Sequence, residues 1–210
     1  MSETSAGKAR DMSEHPWFQP QRVLLSVAMV TWVVLALSSP WQTIADDASR
    51  SVCWVLLTWG WLLWTSVGAS LLVPSPTSLT IVRIVVPLSV VVSVVAGQPL
   101  AVFCSVVALI VCASPMFVDV MVQGGAYGDE KRFALRTPLP YVVPAVIAWL
   151  LYTAALIGGS LLLAAQQYIV GAVLVAIGIL LSRTIPQRLH RLARRWLVLV
   201  PVGIVVHDHL

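Results

Sequence analysis

Apolar residues in this chain come in long blocks and seldom alternate with polar ones. The blocks run from about Val23 to Leu37, Val52 to Val73, Ile81 to Ala96, Leu100 to Val122, Pro138 to Ala165 and Tyr168 to Leu181. A helix of about 20 apolar residues spans a hydrocarbon core about 30 Å thick. The pattern therefore predicts an all-α membrane protein with six transmembrane helices and a short β-prone C-terminal tail. Three regions follow: a disordered tail over residues 1–21, a transmembrane domain over 22–182, and a juxtamembrane segment over 183–210. The first block is short, and residues near Trp41 are expected to complete it. A signal peptide ending near Ala36-Leu37-Ser38 fits poorly with the long, partly acidic segment before it, so a retained anchor is expected.

The breaks between blocks carry turn residues. Pro40–Ser51 reads as a loop, Pro74-Ser75-Pro76 and Gly97-Gln98-Pro99 as turns, Gln123–Thr137 as the longest loop, and Gln166-Gln167 as a tight turn. Pro87 lies inside the third block and removes one helical hydrogen bond there, which predicts a kink. Pro115 and Pro144 lie nearer the ends of the fourth and fifth blocks.

Charge orients this map. Thirteen residues are Lys or Arg, and with six crossings all but Arg50 fall on the side of the N-terminus. Loops rich in Lys and Arg stay cytoplasmic during insertion. Both termini are thus expected in the cytoplasm and the spans in the plasma (inner) membrane. The net charge of +4 does not point to nucleic acid, because the basic residues flank membrane spans. A bilayer with anionic headgroups is the expected partner.

Composition agrees. The chain is 59% hydrophobic and 10% charged, with a mean hydropathy of +0.90. A soluble domain carries about 25% charged residues. Cys53, Cys104 and Cys112 lie within apolar blocks and read as small buried hydrophobes, with no disulfide or zinc spacing.

Few residues carry candidate chemistry. Arg83 and Asp119 are the charged residues expected within membrane depth, toward the cytoplasmic ends of the third and fourth spans. Their levels differ by about 9 Å at 1.5 Å per residue. A structural ion pair between them is one expectation, and separate snorkelling to the interface is the other. Trp54, Trp59, Trp61 and Trp64 crowd the second span. Packing explains such a cluster, and so does a lipid cavity walled by Trp54, Trp61 and Trp64. In the fifth span, Ala154 and Gly158, and Ala155 and Gly159, form small-residue pairs four apart that allow close helix packing. These spans share a short turn, so packing within one chain is expected.

After the sixth span, Ile185, Leu189, Leu192 and Trp196 recur on one helical face. Arg188, Arg191, Arg194 and Arg195 supply basic groups for lipid headgroups. That pattern predicts an amphipathic helix on the inner membrane surface. Trp196–Val200 and Ile204–Val206 flank Pro201-Val202-Gly203, which reads as a β-hairpin. An isolated hairpin is marginal in water. Either a partner completes the sheet or the hairpin begins a longer domain. His207-Asp208-His209 reads as a nonspecific tail and not as a metal site.

The run Tyr127-Gly128-Asp129-Glu130-Lys131-Arg132-Phe133-Ala134-Leu135-Arg136, the proline-led spans, and Arg194–Pro201 resemble uncharacterised actinobacterial integral membrane proteins. In those proteins the cytoplasmic end is similar to the first strands of a bacterial pleckstrin-homology-like domain. The resemblance covers mainly the second half of the chain. It implies a partial domain of that kind and no catalytic residues.

No phosphate-binding loop, HExxH or Gly-x-Ser-x-Gly pattern occurs, so no catalytic or cofactor-binding residues are expected. Ser182-Arg183 with His190 departs from the lipid phosphatase pattern in spacing. The leading expectation is a noncatalytic accessory or scaffold subunit acting on a protein partner at the cytoplasmic face. The alternative is a small transporter or lipid-handling protein, and a membrane enzyme using Asp119, Asp129 or Glu130 ranks last.

Overall fold

The computed structural model describes residues 18–124, 131–135, 138–200 and 203–207. The expected disordered tail up to Trp17, Asp129, Glu130 and the Asp208-His209 pair lie outside the described residues. Helices dominate. Four are long and apolar enough to cross a membrane, or up to six if each of two bent pairs is one crossing.

The chain enters through α1 (Phe18–Ser38) and α2 (Pro40–Asp46). Ser39 between them adopts a left-handed conformation with φ 43°, and Pro40 starts the next helix. Together they make one apolar span reaching Asp46. The stretch read as a loop from Pro40 is therefore helical, because Pro40 occupies a first-turn position where its missing N–H costs nothing. Helix α3 (Arg50–Leu72) returns, and α4 (Pro76–Val95) follows with the Ser75 hydroxyl accepting from the Ser78 N–H at 3.0 Å. That N-cap bond satisfies one of the free donors of the first turn. Helix α4 is the most enclosed, with 39% of its apolar window buried against 17–22% for the other three long helices. Large apolar side chains such as Val95, Ile110, Ile169 and Leu180 are exposed along these helices, as suits a lipid-facing surface.

The fourth apolar block is broken into two helices, not continuous as expected. Helix α5 (Pro99–Ala113) ends at Ser114, and α6 (Pro115–Gln123) leaves it at 64°. Ser114 precedes a proline and sits in the extended region with ψ 143°, as pre-proline residues prefer. Its hydroxyl then caps α6 by accepting from the Phe117 N–H.

The fifth apolar block joins α7 (Leu139–Thr153), a π-helical turn at Ala154–Gly158, and α8 (Gly159–Ala164). Helix α9 (Tyr168–Ser182) packs back against it, and α10 (Ile185–Ala193) departs at a bend of 41°. The close approach is made by glycines. A Cβ on Gly159 would lie 2.8 Å from the Val175 nitrogen, and one on Gly171 would lie 2.7 Å from the Leu163 nitrogen. Ala155 is buried, so the Ala155–Gly159 pair serves this hairpin. A Cβ on Gly158 would meet nothing within 4 Å.

Three strands close the structure: β1 (Lys131–Ala134), β2 (Trp196–Val200) and β3 (Gly203–His207). They form an antiparallel sheet in the order β1-β2-β3, with Ala134 opposite Trp196 and Lys131 opposite Leu199. The hairpin expected from the sequence is present as β2–β3. Its third strand comes from the chain's own interior loop, about sixty residues earlier.

Helix α6 covers the outer edge of β1. The Arg132 N–H donates to Gln123 Oε1 at 2.8 Å, and the Ala134 N–H donates to Asp119 Oδ1 at 3.1 Å. Residues four apart on a helix rise about 6 Å, and residues two apart on a strand advance about 6.7 Å. The two repeats match, so one helical face supplies the acceptors that another strand would. The core is dense at this end of the bundle, where Leu79, Val82, Phe117, Met121 and Val122 are fully buried.

Candidate functional site

At the opposite end the bundle is hollow. A cavity of about 410 Å³ lies between α1–α4 and the helix formed by α7, the π turn and α8. Five tryptophans line it: Trp32 from α1, Trp41 from α2, Trp59 and Trp64 from α3, and Trp149 from α7. Among the described residues, no Asp, Glu, Lys or Arg takes part in the lining. A second groove, which includes Asp47, shares Ile44, Leu56 and Leu161 with the cavity wall.

Indole N–H groups hold these walls together. Trp32 Nε1–H donates to the Trp64 carbonyl and Trp64 Nε1–H to the Trp32 carbonyl, each at 2.9 Å. This reciprocal pair staples α1 to α3. Trp59 Nε1–H donates to Ser160 Oγ at 2.9 Å, and Trp149 Nε1–H to the Ile84 carbonyl at 2.8 Å. These two bonds dock the C-terminal hairpin onto α3 and α4. Ile84 lies three residues before Pro87, whose ring and missing N–H loosen the local ladder. Trp149 thus bonds a carbonyl near Pro87, as a neighbouring helix can do in lipid.

The fifth crossing is hollowed at the same level. Ala154, Ile157 and Gly158 line the cavity from within the π turn. Such turns insert one extra residue per helical turn and recur at functional sites. The two small-residue pairs therefore divide: Ala155 and Gly159 face helix packing, while Ala154 and Gly158 leave room in the cavity wall.

Of the tryptophans expected to form a lipid cavity, Trp64 lines it and the others do not. Trp54 is 63% exposed on the outer surface. Trp61 stands one layer out, edge-on to Trp41 at 5.3 Å and to Trp64 at 5.7 Å. The lining residues of α3 are Leu56, Trp59, Gly60, Leu63 and Trp64, a stripe of three- and four-residue steps. Helical periodicity separates that stripe from Trp54 and Trp61, and reading the face instead of the cluster would have found it. Trp32, Trp41 and Trp149 sit alone in other helices, and nothing local marks them.

The charged residues are arranged otherwise than expected. Arg83 and Asp119 make no ion pair. The Asp119 carboxylate holds β1, and Arg83 is exposed on α4. Helix α6 still packs on α4, but its Asp119 carboxylate accepts from the β1 backbone, while Arg83 lies on an exposed part of α4. Arg83 lies one turn beyond Thr80, whose hydroxyl is 3.0 Å from His190 Nδ1 of α10. It is therefore near the level of the surface helix, within reach of water. Burial, and then the charge of Arg194, push the His190 imidazole below its ordinary pKa.

Helix α10 packs against α4 and α7, burying Ile185 and half-burying Leu189 and Leu192. Arg188, Arg191 and Arg194 are exposed, as headgroup contact requires. Arg195 is buried, which removes it from the expected headgroup set. It sits at the junction with β2, where its carbonyl accepts from the Leu135 N–H and extends the β1–β2 ladder. Arg132 lies over the Trp196 ring, with its guanidinium carbon 5.6 Å from the centroid.

No family model, curated protein or solved structure matches this chain.

Proposed function

We propose that the protein is a noncatalytic lipid-handling protein of the plasma (inner) membrane. It is threaded six times, has both termini in the cytoplasm, and holds an uncharged lipid-like molecule in the tryptophan-lined cavity. The observation that carries this reading is the cavity of about 410 Å³ with no charged residue in its wall among the described residues, beside an apolar groove that shares Ile44, Leu56 and Leu161 with it. Its size suits one apolar guest, since small-molecule sites run from about 300 to 1,000 Å³. A charged substrate or coupling ion would find no counter-charge there.

The threading is supported by the meeting of β1, α10, β2 and the start of α4 at one end. Lys131, Arg132 and the arginines of α10 cluster at this end, and Arg50 begins α3 at the other. By the basic-residue rule the sheet end is cytoplasmic, and the cavity lies in the outer-leaflet half. Thiol labelling of single cysteines placed at Lys131 and Asp47 tests this. Lys131 is expected to react only after the membrane is permeabilised, and Asp47 from outside. The reverse pattern overturns the orientation.

Purification in mild detergent tests the binding. Lipid is expected at a fixed stoichiometry by native mass spectrometry and is expected to be lost in Gly158→Leu. That substitution fills the cavity from a backbone with ordinary helical angles of φ −60° and ψ −42°. Equal lipid retention in wild type and Gly158→Leu would remove the reading.

A second reading, a scaffold for a protein partner at the cytoplasmic face, is favoured by one observation. The sheet is braced on the bundle by Asp119 and Gln123 while β3 forms its far edge. Such an edge accepts an added strand. Crosslinking from β3 in intact membranes would identify a partner under this reading.

A further inference from the structure

Arg83 is the sole charged residue of α4, seven positions in from Pro76. At 1.5 Å per residue it lies about 10 Å along the axis, inside the apolar span Pro76–Val95. A cation at such depth needs a counter-charge or a route to water. Helix α4 packs against α2, α3, α5, α6 and α10, and α7 reaches it through Trp149. Among the described residues of these helices the carboxylates are Asp46, at the opposite end of α4, and Asp119, which accepts from β1. Helices α3, α5, α7 and α10 carry no acidic residue.

The neighbouring charge is positive as well. Helix α10 meets α4 at Thr80, where the hydroxyl is 3.0 Å from His190 Nδ1. Thr80 and Arg83 are three apart and share one face of α4. Arg194 follows His190 by four, and its N–H bonds the His190 carbonyl at 3.1 Å, so the two share one face of α10. The His190 imidazole feels this proximity: after burial, the Arg194 charge is what lowers its pKa. Arg188 and Arg191, two positions before His190 and one after, lie on other faces. Arg83 and Arg194 are both exposed. Guanidinium groups from two helices thus flank the Thr80–His190 contact.

We propose that Arg83 and Arg194 hold the phosphate of one anionic glycerolipid where α10 crosses α4. This site is separate from the cavity and independent of how the cavity is read. A guanidinium binds phosphate through two parallel hydrogen bonds, a geometry lysine lacks. Depth favours a lipid over a dissolved ion. An amphipathic surface helix lies about 5–10 Å into the headgroup boundary, and Arg83 can extend its head toward that level. A dissolved phosphate must shed water to meet Arg83, whereas a lipid's phosphate is anchored at the boundary by its own chains. A zwitterionic headgroup is disfavoured, because its ammonium would enter a region where Arg188, Arg191 and Arg194 are exposed on α10.

Lipid competition tests the site. The full chain in mild detergent is incubated with equal amounts of phosphatidylglycerol and phosphatidylcholine of matched acyl chains, and retained lipid is weighed by native mass spectrometry. Phosphatidylglycerol is expected to be preferred roughly tenfold, the range charge-assisted hydrogen bonds support. In Arg83→Gln and in Arg194→Gln the ratio is expected to fall close to one, while Arg188→Gln keeps it. Arg83→Lys preserves the charge without the paired bonds and is expected to fall between. Because both lipids compete for the same molecules, poor folding of a variant lowers both signals and leaves the ratio readable. No preference in wild type overturns the proposal. So do equal losses in all three Gln variants, which would mean diffuse surface charge. Displacement of the lipid by excess inorganic phosphate also overturns it, and would assign the pair to a dissolved anion. Gly158→Leu is expected to keep the preference. If it abolishes the preference, the retained lipid occupies the cavity, and this site falls while the cavity reading stands.

Discussion

Asp119→Ala removes one of the two side-chain acceptors that attach the edge of the sheet to the bundle. The Ala134 N–H then faces a methyl group where it donated at 3.1 Å. Hydrogen bonds to charged groups contribute about 1.5–3 kcal/mol. Asp119 is half-buried, so water screens the bond and the lower end applies. About 1.4 kcal/mol is a factor of ten in an opening equilibrium. Amide exchange at Ala134, and at Leu135, whose N–H continues the ladder to the Arg195 carbonyl, is therefore expected to quicken roughly tenfold. Asp119→Asn keeps an acceptor and is expected to change exchange less than about threefold, the neutral bond being weaker. Gln123→Ala is expected to act at Arg132 instead, through its 2.8 Å bond. Protection at Ala134 within twofold of wild type in Asp119→Ala would refute the brace. A loss of protection spread through α4 as well would favour the discarded Arg83 pairing.

Other consequences are equally direct. Gly159→Val pushes side-chain atoms against the Val175 backbone and is expected to cost about 1–3 kcal/mol, seen as a lower melting temperature in detergent. Gly158→Ala is expected to leave it unchanged, and equal losses in the two would contradict the division of the small-residue pairs. Docking of α10 through His190 and Thr80 is expected to be pH-dependent. The folded value is lowered below the ordinary 6.5, so the contact is fully present above 6.5 and is lost as pH falls through the lowered value. Exchange in α10 measured at pH 8 and pH 5 checks this, and an identical pH response in His190→Gln would disprove it. Trp64→Leu is expected to release bound lipid and exposed Trp54→Leu to retain it, by native mass spectrometry.

Much of the fold was legible because lipid imposes a simple demand on sequence. A segment in hydrocarbon must satisfy its backbone internally and show apolar side chains outward. The apolar blocks, their prolines and the β2–β3 hairpin therefore followed from local composition. Pro115 was visible, but whether it kinks or breaks a helix depends on what caps the new end, and the Ser114 hydroxyl decides that. The small residues of the fifth crossing were also visible. Their division depends on the π turn, which rotates Ala154 and Gly158 toward the cavity.

The cavity was only partly legible. A tryptophan cluster marks α3, but periodicity must choose among its members. Trp32, Trp41 and Trp149 join from helices far apart in the chain. The Arg83–Asp119 pairing failed because the β1 backbone engages the Asp119 carboxylate, and β1 escaped notice because four residues within a polar loop carry little strand signal.

The chain's own order of apolar and basic residues determined which segments enter the bilayer and favoured one way of threading them. Both are local properties: solvation of twenty residues at a time, and the cost of moving a cation through hydrocarbon. The tertiary structure alone decided where the acceptors for β1 lie and which indole N–H groups find partners. Those facts depend on residues up to a hundred positions apart being held within about 3 Å, a distance set by the packing of whole helices and by no short stretch of sequence.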